Sequence, residues 1–321
     1  MNNSIWYDHF LKTLYEKYPK KSQLTEALMD LLSIEREAVY RRLRKEVTFS
    51  IYDIAAIANA WNISIDSIFN MVPEESSLFQ MDVVSCINPL KKDIKRIENY
   101  LRVLKEITAA PFSEYMEISN TLPRSLFVSY PILARFNMFK WLYHCGNEKS
   151  IHSFNQFEVS QKTLEFGIEY YDIIKNITHI SYMWDSRIIQ HLINDVLYFE
   201  SIYLLSKEEV QLIKQETSTL LDDMENLSLQ GGFTGRNSKV DLYISQTNID
   251  SNYYYFYSPI TSMCGIRMFT EYIVASINKF MCENFRKWMH TQKRIATLIS
   301  QVNERQRIEF FIQQREILNK M

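Results

Sequence analysis

Glycine and proline are scarce in this chain, with 6 and 7 residues among 321. A collagen-like or proline-rich low-complexity protein is excluded on that ground, and the commonness of Leu, Ile, Lys, Glu and Gln favours helix. Cysteine is equally sparse: Cys86, Cys145, Cys264 and Cys282 stand far apart, with no C-x-x-C spacing and no neighbouring histidines to complete a zinc set. They read as reduced, mostly buried thiols. No run of about 18 apolar residues is present, so no membrane span is expected. The opening MNNSIWYDHFLKTL lacks the charged and apolar regions of a secretory leader. Together these absences lead to the expectation of a cytoplasmic protein. Nor is there a large charge imbalance: 36 Lys and Arg against 38 Asp and Glu give a net charge of -2. A basic field over the whole surface is excluded, whereas a local basic patch is not.

The most specific stretch is SQLTEALMDLLSIEREAVYRRLRKEVTFSIYDIAAIANAWNISIDSIF, residues 22–69. Before it, Trp6, Phe10, Leu11, Leu14 and Tyr18 recur at helical spacing, and Pro19 ends that helix. Ser22 is the expected cap of a second helix with Leu24, Ala27, Leu28, Leu31 and Leu32 on its inner face. A turn falls at Ser33 and Ile34. The third helix, from about Glu35 to Arg44, turns Tyr40 and Leu43 inward and leaves Arg36, Glu37, Arg41, Arg42, Arg44 and Lys45 outside. Thr48 and Ser50 offer caps for a fourth helix that packs Ile54, Ile57, Ala58 and Trp61, and ISIDSIF closes the unit.

This pattern resembles the Cro/C1-type, or xenobiotic-response-element, helix-turn-helix family, in which the second and third of five helices form the motif. EREAVYRRLRKE lies where that family has its recognition helix, and SIYDIAAIANAWNISIDSIF resembles its usual ending. Glu46 stands where the family often has glycine, and Gln23–Leu24 where a glutamine pair is frequent. The resemblance covers about residues 5–70 and implies double-stranded DNA as the partner. By position, Arg36, Glu37 and Arg42 would reach base edges, since arginine donates bidentately to guanine and glutamate accepts from cytosine. Arg41, Arg44 and Lys45, with Ser22 and Gln23 at the start of helix two, would hold phosphates. The competing reading is a solvated face whose cations pair with Glu35, Glu37 or Glu46.

Residues 1–72 are therefore expected to form the helix-turn-helix domain. MVPEESS marks the boundary, and residues 73–110 form a linker helix. Within it Val83, Ile87, Leu90, Ile94, Ile97, Leu101 and Leu104 recur at alternating spacings of four and three. That seam fits either a coiled coil in a homodimer or packing on the chain's own C-terminal body. Residues 111–321 read as a helical dimerisation or sensor domain, and the expected fold class is mainly α. THISYMWDSRIIQHLINDVLYFESIYLL reads as one buried helix, SKEEVQLIKQETSTLLDDMENLSL as a serine-capped one, and MFTEYIVASINKFMCENFRKWMHTQKRIATLIS as terminal helix. One short β-hairpin is expected, KVDLYISQTNI joined to NYYYFYSP by IDSN. QGGFTGRNS lacks the lysine and spacing of a phosphate loop. His144 and Cys145 are adjacent and point apart on a helix; His179, Asp185 and His191 lack metal-ligand spacing. No catalytic set, metal site or cofactor is expected. The reading is thus a dimeric, sequence-specific DNA-binding regulator, with a small-molecule or protein effector as a further partner. The alternative is an interaction scaffold whose helix-turn-helix does not bind DNA.

Overall fold

The computed structural model describes residues 5–61, 63, 65, 79–81, 91–144, 153–268 and 272–321. The chain forms two compact units, Met1–Leu78 and Phe79–Met321.

In the first unit, α1 (Ile5–Lys17), α2 (Lys21–Leu32), α3 (Arg36–Leu43) and α4 (Ile51–Trp61) close around one core. Phe10, Leu14, Leu24, Leu28, Val39 and Ile57 are fully buried in it. The spacing of these residues along each helix puts one apolar stripe per helix inside. Ser50 caps α4 reciprocally with Asp53: each backbone N–H donates to the other's side chain, at 2.9 and 3.1 Å. Ser22 is not the cap of α2, because that helix begins at Lys21 with Lys20 as an extended cap residue. Of the closing ISIDSIF segment, only Ile63 and Ile65 fall within the described residues, as does none of MVPEESS.

The second unit corrects the expected fold class. Instead of a mainly α body with one hairpin, it holds an eight-stranded mixed sheet in the order β1-β7-β6-β5-β2-β3-β4-β8. These are β1 (Gln80–Met81), β2 (Glu114–Ser119), β3 (His179–Trp184), β4 (Lys239–Ser245), β5 (Tyr253–Tyr257), β6 (Ser262–Met268), β7 (Tyr272–Ser276) and β8 (Ala296–Leu298). β2, β3 and β4 are parallel neighbours. Parallel neighbours need helical crossovers. Here α6 (Arg124–Phe127), α7 (Pro131–His144) and α8 (Gln161–Lys175) lead from β2 to β3, and α9 (Gln190–Ser201) and α10 (Lys207–Gln230) from β3 to β4. The expected hairpin partners are both strands but do not pair with each other. β4 lies between β3 and β8, and β5 between β2 and β6.

Side chains alternate across the sheet. Tyr115, Tyr182, Trp184, Leu242, Tyr254 and Phe256 join the main core with α5 (Lys91–Thr108), α7, α8, α9, α10 and α12 (Glu304–Leu318). Met116, Ile118, Met183, Tyr255 and Cys264 face the other way, against Cys282, Phe285 and Met289 of α11 (Lys279–Gln292). The heptad-like residues Leu101 and Leu104 of α5, with Ile107, are buried in the main core, so α5 packs on its own body. Val83, Ile87 and Leu90 lie outside the described residues. Among those described, no helix is long and apolar enough to cross a membrane.

Candidate nucleic-acid interface

The α2–turn–α3 corner depends on Ser33, which leaves α2 in the left-handed conformation at φ 54. Glu35 then precedes α3 in extended geometry. From there Val39 and Leu43, one turn apart, drop into the core. The buried residue in the middle of α3 is thus Val39 rather than the expected Tyr40. Tyr40 lies half-exposed at the surface, with the Lys21 ammonium 5.4 Å and the Arg44 guanidinium 5.8 Å from its ring.

The end of α3 is set by backbone geometry. Glu46 N–H donates to the Arg41 carbonyl at 2.9 Å and Lys45 N–H to the Arg42 carbonyl at 3.1 Å. This is the paired closure of a Schellman motif, and Lys45 takes the left-handed position at φ 65. Tyr7, on α1, secures the segment that follows. Its hydroxyl donates to the carbonyls of Arg42 and Val47, at 3.1 and 3.3 Å, and accepts from Phe49 N–H at 3.1 Å. One phenol thereby fixes the segment between α3 and α4. Phe49, nearly fully buried, stacks edge-on against Phe10. Neither Tyr7 nor Phe49 stands out in the sequence, because each sits outside the helical motif it supports.

The expected contact residues divide into two groups. Arg36, Glu37, Arg41, Arg44 and Lys45 stay on the surface, with side-chain exposures of 50–68%. Ser22 and Gln23 are exposed in the first turn of α2. Arg42 does not join them. Its side chain is 20% exposed, lies 5.8 Å from the Phe49 ring, donates to the Ala38 carbonyl at 3.2 Å and pairs with Asp53 at 3.6 Å. That arginine braces α3 against α4 instead of projecting from the face.

Each exposed cation on the face has an acidic neighbour. Arg36 reaches Glu26 at 4.0 Å, Arg41 reaches Glu46 at 3.6 Å, Arg44 reaches Glu37 and Glu46 at 3.4 and 3.2 Å, and Lys45 pairs with Asp8. Such solvent-exposed pairs stabilise by about 0–1 kcal/mol each. Pairs this weak can be exchanged for another partner at little cost.

In the second unit, His179 pairs with Asp241 at 2.8 Å, while Asp185 accepts from the backbone of Arg187 and Ile249. These contacts are structural, and His179, Asp185 and His191 are not brought together. Among the described residues, no group of three or more His, Cys, Asp or Glu side chains is placed to hold a metal ion. Cys145 lies outside them. No family model, no curated protein and no solved structure matches this chain.

Proposed function

We propose that this protein is a sequence-specific DNA-binding regulator of the Cro/C1 type, acting as a cytoplasmic dimer through binding rather than catalysis. The observation that carries the reading is the α2–turn–α3 corner, with α3 buried on the Val39–Leu43 side and exposing Arg36, Arg41, Arg44 and Lys45 on the other. A short helix of this kind, cationic on its free face and fixed at both ends, fits a B-form major groove. In this reading Arg36 and Glu37, in its first turn, read bases, and Arg41, Arg44, Lys45, Ser22 and Gln23 hold phosphates. The cationic patch is local, in keeping with a net charge of -2 for the chain. A symmetric pair of heads would span two half-sites.

A second reading, a scaffold whose helix-turn-helix does not bind DNA, draws on one observation: every exposed cation of α3 already has an acidic partner. Fluorescence anisotropy of labelled duplex DNA across a salt series separates the two. DNA binding predicts that Arg41→Ala with Arg44→Ala lowers affinity and flattens the slope of log K against log salt by about 2 per head. A wild-type protein whose anisotropy stays flat at low salt, or a double variant with an unchanged slope, would leave the scaffold reading standing.

A further inference from the structure

The second unit carries a cleft of about 330 Å³ outside the carboxyl ends of the parallel strands, the place where open α/β sheets bind their ligands. One wall is α7, through Leu133, Phe136 and Lys140; a second is α9, through Leu192 and Asp195. The connection from β4 to β5 passes over the ends of β3 and β2 and forms the rim with Asp250, and Arg267 enters from the end of β6.

The rim is held together by its own hydrogen bonds. Ile249 N–H donates to Asp185 at 3.4 Å, Asn120 Nδ2 to the Ile249 carbonyl at 3.0 Å, and Asn120 N–H to Asn252 Oδ1 at 3.1 Å. Asn252 Nδ2 donates to Thr121 at 2.8 Å, and Arg267 N–H to the Asn252 carbonyl at 2.9 Å. A preformed site avoids the ordering cost that a loose loop adds to binding.

Charge decides what the cleft recognises. It presents two cations, Lys140 and Arg267, and two carboxylates, Asp195 and Asp250. Lys140 meets Asp195 at 2.8 Å, Arg267 meets the buried Glu117 at 3.3 Å, and Asp250 accepts from the Tyr253 hydroxyl at 2.7 Å. Each contact uses one position of a group that has several: a guanidinium has five N–H donors, an ammonium three, a carboxylate about four acceptor sites. Balance of this kind disfavours a ligand of one sign and suits one that carries both. Leu133, Phe136 and Leu192 add an apolar wall for the remainder of the molecule.

We infer that this cleft binds a free α-amino acid with an apolar side chain. Arg267 holds the carboxylate, Asp250 and Asp195 hold the ammonium, and the α7 wall takes the side chain. The inference goes beyond DNA binding and is read without DNA. The test is isothermal titration of the full-length protein with leucine, methionine and phenylalanine, each beside the analogues that lack only its ammonium or only its carboxylate. At least one amino acid should bind with single-site stoichiometry, and both of its analogues should bind weaker by about 10- to 100-fold. Asp250→Asn should lose affinity to a similar degree, and Leu192→Trp, which fills the cleft from its α9 wall, should abolish binding. Arg267→Met leaves Glu117 without its ion-pair partner and risks misfolding, so the Asp250 and Leu192 variants, checked by circular dichroism, decide the matter. No heat with any of the amino acids, equal binding of an analogue, or full affinity in folded Asp250→Asn and Leu192→Trp would overturn the inference.

Discussion

Glu114 opens β2 on the face covered by α11, and its side chain is 2% exposed. Burial alone would push its carboxyl up, since a desolvated charge is costly. Hydrogen bonds with His290, Tyr255 and Arg286 outweigh that and bring it down from 4.5 to about 2. Arg286 donates to one carboxylate oxygen through Nε at 2.8 Å and Nη2 at 2.6 Å; His290 Nε2 lies 3.0 Å from the other and 2.8 Å from the Tyr255 hydroxyl. A carboxyl depressed from 4.5 to about 2 contributes about 3 kcal/mol, at 1.36 kcal/mol per unit. The sign follows from linkage. The folded form holds this group ionised more strongly than the unfolded chain, so the contribution is complete above about pH 4.5 and is lost as pH falls toward 2. Glu114→Gln should therefore lower the stability of the second unit by about 3 kcal/mol at pH 7. The deficit should shrink steadily below about pH 4.5. Hydrogen exchange of β2 and α11 peptides under increasing denaturant reads this unit separately from the first. Parallel pH profiles of the two proteins down to pH 3 would refute the reasoning.

Other outcomes follow from single side chains. Tyr7→Phe removes a hydroxyl that serves three backbone groups and leaves the Phe49 N–H without its partner; it should cost the first unit about 1–3 kcal/mol in urea unfolding. Lys45→Gly relieves a left-handed lysine at φ 65, so stability should rise by about 1 kcal/mol while the salt slope of DNA binding falls by about 1 per head. Stability and affinity moving together would contradict the assignment. Arg42→Met should destabilise the first unit, because it breaks the brace to Asp53 and Phe49, yet leave the salt slope unchanged in anisotropy titrations. Gly265 stands opposite Tyr254 in the β5–β6 register, where a Cβ would overlap the tyrosine hydroxyl. Gly265→Ala should lower the thermal midpoint, at a cost of about 1–3 kcal/mol.

The first unit was largely legible because its signals are local. The Pro19 stop, the Ser33–Ile34 turn and the Ser50 cap each act within a few residues, and the structure places α1 to α4 around them. The exchange of Tyr40 for Val39 was not legible: the two are adjacent, and tertiary packing chooses between them. In the second unit, α10 was readable for the same local reason, since Ser206 and Glu209 form a capping box. The sheet was not. HISYMW of β3 is buried on both faces, as strands between two helical layers are, so apolar Tyr182, Met183 and Trp184 follow one another without alternation, as they also would in a buried helix. YIVAS of β7 was hidden similarly in what reads as a long terminal helix. For β4 and β5 the alternation was visible but the partners were not. Sequence adjacency suggests a hairpin, whereas β2 and β3 separate the two strands in the sheet. Of the residues expected at the surface of the corner, all but Arg42 are exposed; its burial depends on Phe49 and Asp53 folding back over it.

Selection from a random duplex DNA library with the full-length protein, at near-physiological salt, tests the central claim most directly. The account predicts an enriched half-site motif, repeated at a spacing of about 10–10.5 base pairs or a multiple of it. Recovery of no enriched sequence by a protein shown to be folded would contradict it.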